Sequence, residues 1–189
     1  MSIRTLLVVA LVASLPACEE AFGPDRPAVS RVFLEYAALG GMPAGTYRAA
    51  GEAPIDSGGG LQPGEWAFAS RSGPAPEPVL IDASRPAANG GYDRVSIFLP
   101  NGAHTGQMIT MGQPCEDPGG CASMSVDFGF RSQALEADTE CAVRSGTLHL
   151  VTLTDERVVG TITGTLACSG AHIGLSQIRG TFDVAMRTW

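Results

Sequence analysis

The chain has no lysine, few aromatic residues and an excess of acids. Its twelve basic residues are all arginines and they face nineteen aspartates and glutamates, which gives a formal net charge of −7 over 189 residues. Because such a charge repels phosphate backbones, we expect no nucleic-acid partner. Glycine-rich stretches such as Asp56–Gly64 lack the lysine of a phosphate-binding loop, so we predict no phosphate site there.

The sequence also lacks the motifs of common catalytic and metal sites. Its three histidines, His104, His149 and His172, do not lie at metal-ligand spacing, and no Gly-x-Ser-x-Gly motif occurs. The acidic pairs Glu116-Asp117 and Asp155-Glu156 are typical of polar turn tips. We therefore predict no catalytic, cofactor-binding or metal-binding residue.

Long apolar runs are absent apart from one near the start. Thr5–Leu15 is an apolar run of eleven residues that follows the positive charge of Arg4. A membrane-spanning helix needs about 20 apolar residues, so this run predicts the hydrophobic part of a secretory signal. The small residue Ala17 and then Cys18 follow it.

Leu15-Pro16-Ala17-Cys18 resembles the lipobox of bacterial lipoproteins. The resemblance implies that the Cys18 thiol is diacylated, that the chain is cut before Cys18, and that the new amino group is acylated too. Two or three acyl chains attach a protein durably, whereas one gives marginal binding. The alternative is cleavage by an ordinary signal peptidase, which would leave Cys18 unmodified.

This resemblance divides the chain into a lipoprotein signal peptide at 1–17, an acylated tether at 18–28 and one domain at 29–189. The membrane is then a partner through Cys18. Because Glu19 and not aspartate follows Cys18, the resemblance also implies the outer membrane as destination, on its periplasmic or surface face. The mature chain would carry eleven arginines against nineteen acids, a net charge of −8.

Four further cysteines form an even set, as disulfides in an exported protein require. Cys115 and Cys121 enclose a Pro-Gly-Gly turn, which favours a local disulfide between them. Cys141 and Cys168 would cross-link the two strands of one hairpin. The rival interpretation is zinc held by four thiolates, but the spacings match no usual zinc pattern.

The register of that hairpin is the basis for the second disulfide. If Thr154 pairs with Arg157 across the turn at Asp155-Glu156, Cys168 falls opposite residue 143 and close to Cys141. In the loop-entropy model a bridge of this span contributes about 3.6 kcal/mol to the free energy of unfolding.

Strand-sized segments bounded by turn residues fill the domain, which is rich in glycine and proline (24 and 13 residues in the chain). The C-terminal segment has period-two alternation, with apolar Ile178, Phe182 and Val184 on one face and the polar residues Thr181 and Asp183 on the other. Residues 29–40 have helical spacing, but the Gly-Gly-Met-Pro turn that follows favours a hairpin. Trp66 and Phe68, which alternate with alanine, are predicted to pack in the core.

The tripeptide Gly-Thr-apolar recurs five times, starting at Gly45, Gly146, Gly160, Gly164 and Gly180. Glycine inside a strand marks a bend or a close backbone approach, and threonine suits a half-exposed pleat. We predict an all-β fold: a single antiparallel β-sandwich or strongly curved barrel-like domain of about nine or ten strands.

The last of these tripeptides continues as Gly180-Thr181-Phe182-Asp183-Val184. Together with the signal segment, this C-terminal run resembles small, β-rich envelope lipoproteins of uncharacterised function from free-living bacteria. The resemblance implies an anchored β-domain and brings no catalytic residue with it.

The anchor, the paired cysteines and the β pattern favour a non-catalytic binding or structural module whose protein or small-molecule partner is unknown. One alternative is a hydrolase of envelope or extracellular polymers that draws its carboxylates from loops. Another is a barrel-type carrier of small hydrophobic ligands, which would need an internal cavity of several hundred cubic ångströms.

Overall fold

The computed structural model describes residues 29–38, 44–52, 64–71, 73, 76–112, 120–131 and 136–188. The all-β prediction is confirmed, with ten strands in the described part of the chain. The predicted signal peptide and tether lie outside these residues. Within them, no helix is long and apolar enough to cross a bilayer. The strands are β1 (Arg31–Tyr36), β2 (Gly45–Ala50), β3 (Trp66–Arg71), β4 (Val79–Pro86), β5 (Tyr92–Leu99), β6 (Met108–Gly112), β7 (Ser123–Phe130), β8 (Thr139–Leu153), β9 (Arg157–Gly170) and β10 (Gly174–Thr188).

Seven of the strands form a closed ring. β3, β4, β5, β7, β8, β9 and β10 pair in that order, and the end of β10 pairs back with β3. This closing contact joins residues 186–188 to residues 69–71 and is parallel, whereas the other pairings between described strands are antiparallel. The predicted antiparallel fold is therefore confirmed, and it closes through one short parallel contact between named strands.

The parallel contact follows from how β3 enters the ring. β1 runs antiparallel to β10, so β2, its hairpin partner, runs in the direction of β10. The Ala67 amide donates to the Gly51 carbonyl at 3.1 Å, which places the start of β3 at the end of β2. β3 therefore continues in the direction of β2 and reaches β10 in parallel.

Two short elements extend the ring. The sequence favoured a hairpin and not a helix for β1 and β2, and this prediction is confirmed. β1 pairs with the middle of β10 at Ile178–Asp183. β6 pairs with β8 at residues 145–149. β6, β8, β9, β10, β1 and β2 thus form a continuous six-stranded surface, of which β8, β9 and β10 also belong to the ring.

Two β-bulges correct the predicted register of the β8–β9 hairpin. Thr154 does donate to the Arg157 carbonyl at 3.0 Å, as expected. The register then shifts once between Leu150 and Thr152 and again between residues 143 and 145. Since each bulge adds one residue to β8, Cys168 lies opposite Cys141 and not opposite residue 143.

One continuous apolar cluster fills the inside of the fold, and every strand contributes to it. The predicted inward sets of β9 and β10 are confirmed, with Ile162, Phe182 and Val184 at most 1 % exposed. Asp183 departs from the predicted wet face, because it is 7 % exposed beneath two arginines.

Inward glycines allow large side chains to lie against the strands. A Cβ at Gly160 would lie 2.3 Å from the ring of Phe182, its partner across β9 and β10. A Cβ at Gly180 would lie 2.3 Å from the Phe33 carbonyl oxygen. The prediction that strand glycines mark close approach is confirmed at these positions.

Trp66 and Phe68 are buried, but they do not belong to the main core. They form a separate cluster on the opposite face of β3, with ring centroids 5.4 Å apart, while Ala67 between them joins the main core. The prediction of burial is confirmed for both aromatics, and the expectation that they point into the core is wrong.

The long strands give the domain two distinct ends. At the first, which we call the tether end, the chain enters β1 beside the β8–β9 turn and the end of β10. The Ala185 amide donates to Ser30 Oγ at 2.9 Å, and the Met186 amide to the Glu156 carbonyl at 2.8 Å. At the second, which we call the far end, lies the β9–β10 turn, roughly 40 Å away along β10. β1 ends before it, because Tyr36 pairs with Ile178, about 14 Å short of Gly174.

Candidate functional site

The structure contains the predicted disulfide between Cys141 and Cys168. Their Cα atoms are 4.0 Å apart, and both residues are buried within the main core. Cys121 is also disulfide-bonded. Cys115, its predicted partner, and Cys18, the predicted lipidation site, lie outside the described residues, so both assignments stay predictions.

The histidines are dispersed over the surface. His104 and His149 are exposed and His172 is half-buried. Among the described residues, no group of three or more histidine, cysteine or acidic side chains is placed to hold a metal ion.

A groove of about 290 Å³ lies in the half of β10 nearer the far end of the domain. It forms because β1 ends at Tyr36 whereas β10 continues to Gly174. The last bond between them is donated by the Ala37 amide to the Gln177 carbonyl at 3.0 Å. The lining residues are Glu35, Tyr36, Ala37, Gln177, Ile178 and Arg179.

The groove combines an apolar floor with a charged rim. Inside, the ring of Tyr36 packs edge-on against Phe128, with centroids 5.4 Å apart. On the rim, Arg179 donates to the Glu35 carboxylate directly across the β1–β10 pairing. Such a mixture suits a ligand or peptide that offers both apolar and hydrogen-bonding groups.

Exposed apolar side chains continue from the groove. Leu175 is 55 % exposed and alternates along β10 with Gln177 and Arg179, so it shares their outward face. Ile173, in the β9–β10 turn, is 72 % exposed. Neighbouring exposed apolar residues beside a groove are typical of a binding surface. We call the groove together with Ile173 and Leu175 the far-end surface.

A second feature is a row of polar residues on the outer face of the short strands. Asp82 on β4 is 3 % exposed, and Arg94 on β5 donates to both of its carboxylate oxygens at 3.2 Å. Ser96 donates to the same carboxylate. Ser84, 1 % exposed, leaves its hydroxyl without a hydrogen-bond partner.

The row ends in two carboxylates that face each other. Asp127 on β7 pairs with Glu140 on β8. Burial, together with the negative charge of Glu140, raises the pKa of Asp127 above its usual value, although Arg94 acts in the opposite direction. A carboxyl group with a raised pKa beside a second carboxyl group is an arrangement that general acid–base catalysis can use.

Access differs along the row, because Glu140 is exposed and Asp127 half-buried, whereas the carboxylate at the other end of the row is not accessible. Asp82 is buried, and its oxygens are already engaged by Arg94 and Ser96. The carboxylates also project from strands, and not from loops as the hydrolase alternative expected. Asp82, Arg94 and Ser96 therefore form a hydrogen-bonded network that joins β4 to β5.

A buried tyrosine, Tyr47, lies on β2 opposite Leu34, and no sequence motif indicates its contacts. Arg85 stacks over the ring of Tyr47 at 4.9 Å and pairs with Asp93 at 2.8 Å. It also donates to the Thr46 carbonyl on the outer edge of β2. Burial raises the pKa of Tyr47, so its hydroxyl stays protonated.

Comparison of the chain with protein-family models, with curated proteins and with solved structures finds no match.

Proposed function

We propose that this chain is an envelope lipoprotein held to a membrane through acylated Cys18, with a β-domain that acts as a non-catalytic binding or structural module. The observation that carries the proposal is the buried disulfide between β8 and β9. Because such bonds form and persist in oxidising compartments, it supports the export that the lipobox resemblance implies.

The arrangement of the two ends supports a binding role. The chain that follows Cys18 enters at the tether end, whereas the groove and the exposed side chains of Ile173 and Leu175 lie toward the far end. An anchored domain of this shape presents its far-end surface away from the bilayer. A protein or small-molecule partner could therefore reach it.

The packing weighs against the two alternatives. A hydrophobic-ligand carrier needs an internal cavity, but large side chains such as Tyr47, Leu34 and Ile97 lie fully buried within the continuous core. The hydrolase alternative draws its carboxylates from loops, but Asp82 is buried and engaged, and the opposed pair Asp127 and Glu140 lies within strands β7 and β8.

Metabolic labelling with a fatty-acid analogue tests the anchor. The wild-type chain should take up label, and mass spectrometry should find its mature N-terminus at acylated Cys18. Cys18→Ala should take up none and should retain its leader. Label on the Cys18→Ala chain, or a wild-type chain without label, would refute the lipoprotein assignment.

Photo-crosslinking in intact cells tests the binding role. A photoreactive residue at Leu175 should give a discrete adduct on the far-end surface. The same residue at Thr163, which is exposed on β9 but lies outside the groove, is the matched control. Equal adducts at both positions, or none at Leu175, would argue for a purely structural domain.

A further inference from the structure

The first residues of β10 are paired on one side and open on the other. On the β9 side the pairing continues to Gly174, the first residue of the strand. On the β1 side the last described bond runs from the Ala37 amide to the Gln177 carbonyl. β1 leaves the sheet at this point, since its Ala37 carbonyl accepts a hydrogen bond of 2.9 Å from the side chain of Ser176.

The backbone of Leu175 therefore offers a donor and an acceptor to the groove. In a strand, the N–H and C=O groups of alternate residues point to the same side. Because the Gln177 carbonyl bonds to β1, the N–H and C=O of Leu175 face that side too, and no described strand pairs with them. Pairing with β9 holds this stretch of β10 extended. It is thus a preformed template for one more strand.

Two other strand edges are closed by the protein's own groups. On β2, Arg85 donates to the Thr46 carbonyl. On β6, the Ala122 amide donates to the Thr110 carbonyl at 3.0 Å. Strand edges are commonly blocked in this way, or by lysine, proline or a bulge. The open edge of β10 contains no lysine, proline or bulge, and Leu175 on it is exposed and apolar.

The side chains around this edge suit an apolar, uncharged segment. Alternate side chains of an added strand would point to opposite faces of the sheet. Those on the outer face would lie beside Leu175, and those on the inner face would lie over the groove floor at Tyr36 and Phe128. On the rim, Arg179 and Glu35 already bind each other, so the rim carries no net charge to attract a charged residue.

We infer that the open edge of β10 binds an extended, uncharged and apolar peptide segment of a partner protein, which pairs with Leu175 as an added strand. The inference rests on the binding role proposed above and names the class of partner. In this mode of recognition, main-chain hydrogen bonds supply affinity and alternate side chains supply specificity.

The length of the edge argues against a second copy of this chain as the occupant. From Gly174 to Gln177 the edge is only about 10 Å long. Stable interfaces between two whole proteins bury roughly 1,200 Å² or more, and pairing along so short an edge does not supply that area. A short peptide needs no such area, because it can lie within the groove.

A peptide library tests the pairing. Random short peptides displayed on phage are selected against the purified full chain, which is kept in mild detergent so that the outcome does not depend on the anchor. Enriched peptides should be apolar and uncharged at their centre. Each backbone amide of a selected peptide is then N-methylated in turn, which removes one donor and leaves the protein unchanged.

Methylation should weaken binding at least about tenfold at one central residue and less than about twofold at its two neighbours, whose N–H groups point away from β10. Leu175→Pro should weaken binding by a similar factor, since it removes the N–H that faces the groove. The matched control is Leu175→Val, which keeps this N–H and an apolar side chain and should bind as the wild-type chain does. The methylated series uses the wild-type chain, so it decides the question if Leu175→Pro does not fold.

Equal losses at neighbouring peptide positions would show that the groove recognises side chains alone. That result would overturn the inference and leave the binding role intact, and so would equal binding to Leu175→Pro and Leu175→Val. A library without enriched peptides would also overturn it. A full chain that sediments as a dimer, with Leu175→Pro as a monomer, would instead assign the edge to a second copy. The binding role itself fails only if cross-linking at Leu175 in cells gives no adduct.

Discussion

In the long strands β8, β9 and β10, threonines lie on the outer face and glycines alternate with large apolar residues on the inner face. The short strands β4, β5 and β7 differ, because their outer face carries the buried Asp82 together with Arg94 and Asp127. Both regions belong to the same ring. They are stabilised by different interactions, and they should respond differently to mutation.

The long-strand region is stabilised from within. Phe182 lies on Gly160, and the disulfide ties β8 to β9 at the level of Cys141. Apolar packing of this kind does not depend on pH or on the state of a partner charge. The short-strand region buries two carboxylates, Asp82 and Asp93, whereas the long strands bury one, Asp183, which Arg157 binds through two hydrogen bonds. Burial of a charge costs free energy unless all its partners are present. The short-strand region should therefore be the more sensitive of the two to single polar substitutions.

The largest expected effect is loss of the disulfide in the long-strand region. Replacing both Cys141 and Cys168 by alanine should lower the free energy of unfolding by about 3.6 kcal/mol, because the unfolded chain regains the entropy of an open loop. Urea unfolding of the double variant and of the wild-type chain measures this loss of free energy. The matched control is Ala142→Ser with Ala167→Ser, the exposed pair next to the disulfide, which should change little. A loss similar to that of the control would mean that packing alone holds the long strands together.

The short-strand region should lose roughly 2 kcal/mol on Asp82→Ala, because Arg94 and Ser96 then lack their shared acceptor. The control is Asp138→Ala, which breaks an exposed ion pair with Arg131 and an exposed hydrogen bond from Asn89, and should cost less than about 1 kcal/mol. Equal losses for the two aspartates would show that the buried network is no stronger than a surface ion pair.

Gly160→Ala should destabilise the long-strand region by about 1.5 kcal/mol, because the new methyl group meets the Phe182 ring. A double-mutant cycle with Phe182→Leu tests whether contact with the Phe182 ring causes this destabilisation. The leucine substitution should cost less in the Gly160→Ala background than in the wild-type chain, since the smaller side chain relieves the overlap. Additive effects would place the strain in the backbone and not in this contact.

The same comparison explains which parts of the fold could be predicted. The inward set of β9 and β10 follows from period-two alternation, a local signal that the sequence displays directly. The bulges do not, because Arg144 and Val151 are extra residues that leave the composition of the strand unchanged. The two bulges shift the residue opposite Cys168 by two positions, from 143 to 141. The disulfide itself was nevertheless predicted correctly.

The polar row and the groove depend on distant parts of the chain. Asp82 and Arg94 each sit in a strand with ordinary alternation, and nothing local shows that the outer face of β4 is buried. The available signal was that each charged residue is followed two positions later by a serine, in Asp82-Ala-Ser84 and Arg94-Val-Ser96. This places two polar side chains on the same face of each strand. The groove exists because β1 is shorter than β10, a difference that only the paired strands display.

The smallest expected effect is a pH dependence of the stability of the fold that arises in the short-strand region. Burial and the charge of Glu140 raise the pKa of Asp127 in the folded chain above its unfolded value. Deprotonation therefore costs the folded state more than the unfolded state, and stability falls as pH rises through the folded pKa. Asp127→Asn should remove that loss and raise the melting temperature near neutral pH by on the order of 1 °C.

Thermal unfolding across pH checks both the sign and the origin of this effect. The gain from Asp127→Asn should disappear as pH falls below the usual value of 3.8, where the wild-type carboxyl is protonated in both states. Glu140→Gln should give a smaller gain over the same range, because it removes the repulsion and leaves the burial. A gain that persists in acid would come from the amide's own hydrogen bonds. In that case Asp127 would not be the group that makes the short strands sensitive to pH, and the contrast with the long strands would depend on the buried Asp82 and Asp93.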